Sequence, residues 1–257
     1  MCRHFAYLGP PVSLEALVVD PPHGLLHQSW APRCQRHGTV NADGFGVGWW
    51  DPARRPEPAR YRRAVPMWTD RTLASIAGLV SAGSVLGAVR SATVGHPVEE
   101  SAAAPFTAGP WLFSHNGRVE GWFEGVALSL RRRVSDVHAG AIGGTTDSEV
   151  LFALTLDRLA DGLGPGAALE AVVAEVEGKA DGRLNLLLGD GRRVAATTWG
   201  DTLFVHRRGD DVMVASEPFD DEPGWEPVPD RSVVEVATVE VEAGATCPTV
   251  RPLEAPP

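Results

Sequence analysis

Cys2 stands directly behind the initiator methionine. If Met1 is removed, which a small second residue permits, Cys2 carries both a thiol and a free α-amine. An α-amine titrates near ~7.7–8.0 and a thiol near ~8.5, so the amine is a usable base at neutral pH, fixed beside its own nucleophile. Read by itself, the same cysteine also fits a small apolar residue opening a strand.

Four further segments carry groups that such chemistry needs. Arg90 ends an apolar run, where a guanidinium can clamp a carboxylate through two N–H bonds, although an arginine there also fits a surface ion pair. Asn116-Gly117 offers a side-chain amide and a backbone N–H, the two donors an oxyanion hole requires, although Asn-Gly also makes an ordinary turn. Thr146-x-x-Glu149 is a capping box, which leaves Asp147 unexplained in the first helical turn, where the helix dipole keeps a carboxylate ionised and able to hold an ammonium. Asn41-Ala-Asp-Gly-Phe-Gly-Val-Gly48 lacks both the phosphate-loop lysine and the dinucleotide spacing, so it reads as a turn feeding a strand and shaping a pocket wall. Cys34-x-x-His37 has no second ligand pair, so no metal site is expected, and the local signatures of a Cys-His-Asn protease around His115 are absent.

The elements that must position these groups are legible in outline. Phe5–Leu8 reads as a first strand ending at Gly9-Pro10-Pro11, and Ser13 as the cap of a short helix to Val19. Residues 20–44 read as irregular, 45–50 and 60–65 as paired strands, 71–82 as a helix capped by Asp70, 85–90 as a buried strand and 95–110 as a loop. Trp111–Ser114 reads as a strand stopped at His115-Asn116-Gly117, with helices over 119–133, 147–161 and 166–178. Asp190-Gly191 and Gly209-Asp210 each sit between two apolar runs, the mark of a hairpin. Val233–Val241 reads as a closing strand or two, ahead of a frayed Pro-rich tail. Strands, then helices, then strands again predict one layered α+β domain over residues 1–247, followed by the tail 248–257.

Composition narrows the class. The 257 residues are 44% hydrophobic and 22% charged, with a formal net charge of −10, an average globular balance and the wrong sign for a general nucleic-acid binder. The cysteines, Cys2, Cys34 and Cys247, are three and unpatterned, which points to a reducing cytoplasm rather than a disulfide framework. No apolar run approaches the ~20 residues of a membrane span, and the N-terminal apolar stretch is too short for a signal peptide.

Each motif is modest alone, but their order is specific. An N-terminal Cys, then N-A-D-G-F-G-V-G, R-S-A-T-V-G, H-N-G and T-D-S-E together resemble the class II glutamine amidotransferases, which are N-terminal-nucleophile (Ntn) hydrolases. The resemblance runs from Cys2 to about Ser216-Glu217-Pro218 and implies a four-layer αββα Ntn hydrolase sandwich. It implies roles as well: Cys2 the nucleophile with its α-amine as base, Asn116 and Gly117 the oxyanion hole, Arg90 the partner of a glutamyl α-carboxylate and Asp147 of its α-ammonium. No metal or organic cofactor is implied.

Within the family, the lack of an attached synthase domain and the segment V-A-S-E-P-F-D-D-E-P-G-W resemble the free-standing amidohydrolases of ergothioneine biosynthesis. Their substrate would be γ-glutamyl-hercynylcysteine sulfoxide. The chain departs from the common R-W-A-T-H-G pattern at Ser91 and Val94, which leaves room for a leaving group larger than ammonia. A trimethylammonium on that group would be attracted to aromatic faces, with Trp30, Trp68, Trp122 and Trp225 as candidates. A glutaminase subunit feeding ammonia to a separate synthase, and a non-catalytic binding protein on the same fold, are the competing readings.

Overall fold

The computed structural model describes residues 2–140, 142–238 and 246–253, with the backbone alone at 238, 246 and 247. Met1, residues 239–241 of the expected closing strand, the Cys247 side chain and the last tail residues 254–257 therefore lie outside the described residues.

In chain order the elements are β1 Arg3–Ser13, α1 Leu25–Gln28, β2 Phe45–Trp49, β3 Ala59–Arg63, α2 Arg71–Ile76, β4 Ser81–Val89, β5 Phe106–Ala108 and β6 Trp111–Val119. Then follow α3 Val126–Arg131, α4 Asp136–Ala139, α5 Asp147–Ala160, α6 Pro165–Glu177, β7 Gly182–Gly189, β8 Arg193–Thr198, β9 Phe204–Arg208, β10 Asp211–Ala215, β11 Trp225–Pro227, β12 Ser232–Thr238 and β13 Thr246–Pro252. Among the described residues the strands form two antiparallel sheets, β11-β9-β10-β1-β4-β2-β3 and β13-β12-β8-β7-β6-β5.

Side-chain alternation along the strands sets the layers. On β1, Ala6 and Leu8 face the second sheet and pack with Leu112, Leu187, Val194 and Val234. Phe5 and Tyr7 point the other way, into a cluster with Leu14, Leu25 and Leu73 from the segments around α1 and α2. The second sheet repeats the pattern: Leu187 faces inward, while Phe113, Leu184, Leu186 and Leu188 pack against Leu151, Leu154, Leu169 and Val172 of α5 and α6. Two sheets face each other with helices outside both, the expected αββα sandwich. Each of the larger buried side chains contributes roughly 1.5–3 kcal/mol.

Several boundaries differ from the sequence expectation, each for a local reason. β1 continues through Gly9-Pro10-Pro11 because its pairing with β4 shifts register between Leu8 and Val12, which takes the prolines out of the ladder. The helix capped by Asp70 stops at Ile76, and the chain re-enters the sheet at Ser81. The expected helix over 119–133 shrinks to α3 after a single tight turn, because Gly121 and Gly125 both adopt positive φ. His115-Asn116-Gly117 does not turn: β6 runs straight through it to Val119. The segment from Pro248 to Pro252 is paired with β12 rather than frayed, so β13 crosses the boundary expected at residue 247. No helix among the described residues is long and apolar enough to cross a membrane.

Candidate active site

Cys2 and His4 lie on the same face of β1 as Ala6, and Ser114 and Asn116 on the same face of β6 as Leu112. The two sheets therefore bring them together. His4 Nδ1 lies 3.2 Å from Ser114 Oγ, and the Cys2 backbone nitrogen donates to Asn116 Oδ1 at 3.1 Å. Burial, reinforced by Arg3 and His115, pushes His4 down to about 3, so this imidazole is neutral at physiological pH and bonds to Ser114 as a neutral ring. The His4 backbone N–H donates to Ser216 Oγ, which ties the end of β10 to the same point.

Asn116 faces Asn185 across the β6–β7 ladder, and the two amides differ in an informative way. Asn185 accepts from the N–H groups of Trp199 and Asp201 and donates to the carbonyls of Asp201 and Thr202, so both ends of its amide are satisfied by the β8–β9 loop. Asn116 is fully buried, its Oδ1 is taken by Cys2, and its Nδ2 has no partner. A buried amide with an unused N–H₂ beside a cysteine is a poor structural device and a ready donor to a bound oxyanion.

Gly117 is fixed by space. A Cβ there would overlap the Arg183 carbonyl group and lie 2.6 Å from His115 Nε2. Leu184, its cross-strand partner, sends its N–H to Trp199 O on the β8 side. In an antiparallel ladder that makes the pair the open kind, so Gly117 turns its own N–H away from β7. Gly117→Ala is expected to destabilise the protein by about 3 kcal/mol or more, read as a lowered denaturation midpoint; a wild-type midpoint would refute the close approach.

Arg90 is placed by the loop that precedes β2. Its N–H donates to Gly44 O, its carbonyl accepts from Asp43 N–H, and Asp43 Oδ2 accepts from Ala92 N–H at 2.8 Å. Asn41 donates to Gln28 O and Gln35 Oε1 and so anchors the same loop. The N-A-D-G segment thus braces a pocket wall, as its composition suggested. One guanidinium N–H of Arg90 goes to Pro97 O at 2.8 Å.

Cys2, Arg90, Ser114, His115 and Ser148 line one narrow pocket with about 20 Å³ of room, roughly that of a single water. Asp147 stands just behind that wall. Its Oδ2 accepts from Val119 N–H and its Oδ1 from Ser148 N–H, with His115 Nδ1 at 3.8 Å. The structure therefore brings Cys2 and Arg90 to one pocket and bonds Asn116 to Cys2; Gly117 follows Asn116 on β6, and Asp147 is joined through its neighbours Ser148 and His115.

Three contributions were not readable as such from the sequence. Arg3 is fully buried and donates from Nε to the Cys2 carbonyl at 2.8 Å. His115 bonds Ser148 Oγ and Arg183 O, so it joins the cavity wall to β7. Glu217, just beyond β10, accepts from the N–H groups of Arg33 and Cys34 and holds their loop against the site. Burial and Glu217 both push the Cys34 thiol up, which disfavours its thiolate.

Comparison with known proteins places the chain in a family. The family model for class II glutamine amidotransferases matches residues 16–221. A curated relative from Mycolicibacterium smegmatis, named gamma-glutamyl-hercynylcysteine sulfoxide hydrolase, is 49% identical over 94% of this chain and 98% of its own length. The solved structure of a glutamine aminotransferase class-II domain protein from Silicibacter pomeroyi is 27% identical, with a TM-score of 0.69 over 98% of this chain and 100% of that one. Glutamine phosphoribosylpyrophosphate amidotransferase from B. subtilis shares the fold at 15% identity, with a TM-score of 0.69 over 98% of this chain and 49% of its own. The chain belongs to the class II glutamine amidotransferase family.

Proposed function

We propose that this protein is a free-standing γ-glutamyl amidohydrolase that releases glutamate from γ-glutamyl-hercynylcysteine sulfoxide through a thioester on Cys2. The observation that carries the chemistry is the Asn116 amide, whose oxygen takes an N–H of Cys2 while its own N–H₂ is left for a reacting oxygen. The substrate follows from the relative that matches nearly end to end.

With Met1 removed, the neutral Cys2 amine has two hydrogens and one lone pair. One N–H donates to Asn116 Oδ1, and the lone pair is free to take the thiol proton. The sulfur attacks the γ-carbonyl carbon, and the oxyanion is held by Asn116 Nδ2 and Gly117 N–H. The Cys2 ammonium then protonates the leaving nitrogen, the C–N bond breaks, and water hydrolyses the thioester. Arg90 binds the glutamyl α-carboxylate. Asp147 receives the α-ammonium: its two oxygens offer about four acceptor sites in all, and hydrogen bonds from Val119 and Ser148 occupy only part of them.

The aromatic candidates for a cationic leaving group separate by exposure. Trp122 is buried with its Nε1–H on Thr145 O, and Trp225 stacks on His206. Trp30 and Trp68 remain partly exposed and meet edge to face at 6.1 Å. Val94, where a histidine is common in the family, is almost wholly exposed.

The deciding measurement compares glutamate release from γ-glutamyl-hercynylcysteine sulfoxide and from glutamine. A kcat/KM at least ~10²-fold higher for the sulfoxide is expected, the scale that pocket contacts provide. A preference for glutamine, or stimulation of glutamine turnover by a synthase, would overturn the substrate assignment in favour of an ammonia-supplying subunit.

A further inference from the structure

A guanidinium buried against the main chain of a candidate nucleophile calls for an explanation. Arg3 has no exposed side-chain surface, yet burying an arginine is costly unless its charge is used or balanced. Nε donates to the Cys2 carbonyl at 2.8 Å and Nη1 to Thr202 Oγ1 at 3.3 Å. Asp201 and Glu217 flank the far end at 3.9 and 4.0 Å, ion-pair rather than hydrogen-bond distances. Arg183 meets Asp201 from the other side at 3.5 Å. The guanidinium thus turns its Nε edge to Cys2 and its other edge to two carboxylates.

We propose that Arg3 is a positioning residue of the reaction, which fixes the Cys2 main chain and whose positive charge, set by Asp201 and Glu217, keeps the Cys2 α-amine in its basic form. The inference rests on the reading of Cys2 as an N-terminal nucleophile. The Cys2 carbonyl carbon is bonded to the carbon that bears both the amine and the thiol-carrying methylene. Holding that carbonyl restricts the direction of both groups. A nearby cation also disfavours an ammonium, so it keeps the resting amine neutral with its lone pair free to take the thiol proton.

Other charged or titratable groups face this region. His4 lies on β1 itself, Arg90 at the end of β4, and His115 on β6, with Glu217 beyond β10 and Asp201 between β8 and β9. Cys34 sits near Arg3, and Arg36 and His37 near Asp201. Of these, His4 is neutral, and Arg3 alone is hydrogen-bonded to Cys2 through its side chain as a cation.

The test follows iodoacetamide alkylation of Cys2 against pH by peptide mass spectrometry, alongside steady-state glutamate release. Removing the charge in Arg3→Gln is expected to move the alkylation midpoint and the acid limb of kcat/KM up by roughly 0.5–1 pH unit, the scale of a partly compensated charge nearby. kcat should fall by about 10–100-fold with KM nearly unchanged, and Arg3→Lys should restore most of the pH shift. Asp201→Asn leaves the guanidinium less compensated and should move the midpoint down. A purely structural role predicts no such opposed shifts. A folded Arg3→Gln protein with unchanged midpoint and kcat would overturn the proposal. If Arg3→Gln does not fold, a midpoint in Asp201→Asn that stays put or rises would do so. Activity surviving in Cys2→Ala would instead overturn the nucleophile reading itself.

Discussion

Cys2→Ala is expected to abolish glutamate release, by at least ~10⁴-fold in kcat, while leaving the fold intact. The first part follows from covalent catalysis: without sulfur no thioester forms, and a bound water would have to attack an amide without a nucleophile in place. The second follows from burial. Cys2 is only half-buried at the start of β1, and its removal takes one small atom group from a cavity wall, so stability should change by less than ~1 kcal/mol. Cys34→Ala is the control. Its thiol is pushed up by burial and by Glu217, and its side chain has no place in the mechanism, so near wild-type turnover is expected. Intact mass completes the test, since active protein should have lost one methionine residue. Retained Met1 on fully active protein would sink the mechanism, because the base would then be an amide nitrogen.

Much of the candidate site was legible because its chemistry is local in sequence. Cys2 is marked by position, Asn116-Gly117 by donor type, and Asp147 by being surplus to a capping box that the structure forms in full. The layered α+β domain was legible in the order of strands, helices and strands, whereas the four-layer sandwich came from the family resemblance. What failed were the places where a distant contact overrides local preference. Asn-Gly usually turns, but here β7 pairs along its whole length and the Arg183 carbonyl occupies the space a side chain would need. A Pro-rich end usually frays, but β12 pairs with it as far as Pro252. Arg3 and Glu217 were not marked as buried charges because, apart from the bond of Arg3 to the Cys2 carbonyl, their partners lie about two hundred residues away.

Asn116 offers the sharpest separation of roles, because its two amide atoms do different work. Asn116→Ala removes the Nδ2 donor and the Oδ1 acceptor together. Loss of one oxyanion donor costs about 10²–10³ in kcat, so a fall of that size with little change in KM is expected. Asn116→Asp keeps an acceptor for the Cys2 amine but sets a carboxylate where negative charge develops. It also stabilises the ammonium form of that amine, so its pKa rises and the acid limb of kcat/KM moves to higher pH. At neutral pH the aspartate variant should therefore be slower than the alanine variant, although it is closer in shape to asparagine. A steric or packing role predicts the reverse order, because alanine leaves the larger void at a fully buried position. Measuring kcat for both variants across pH decides between them: an aspartate variant as active as the wild type would show that no oxyanion forms at this amide.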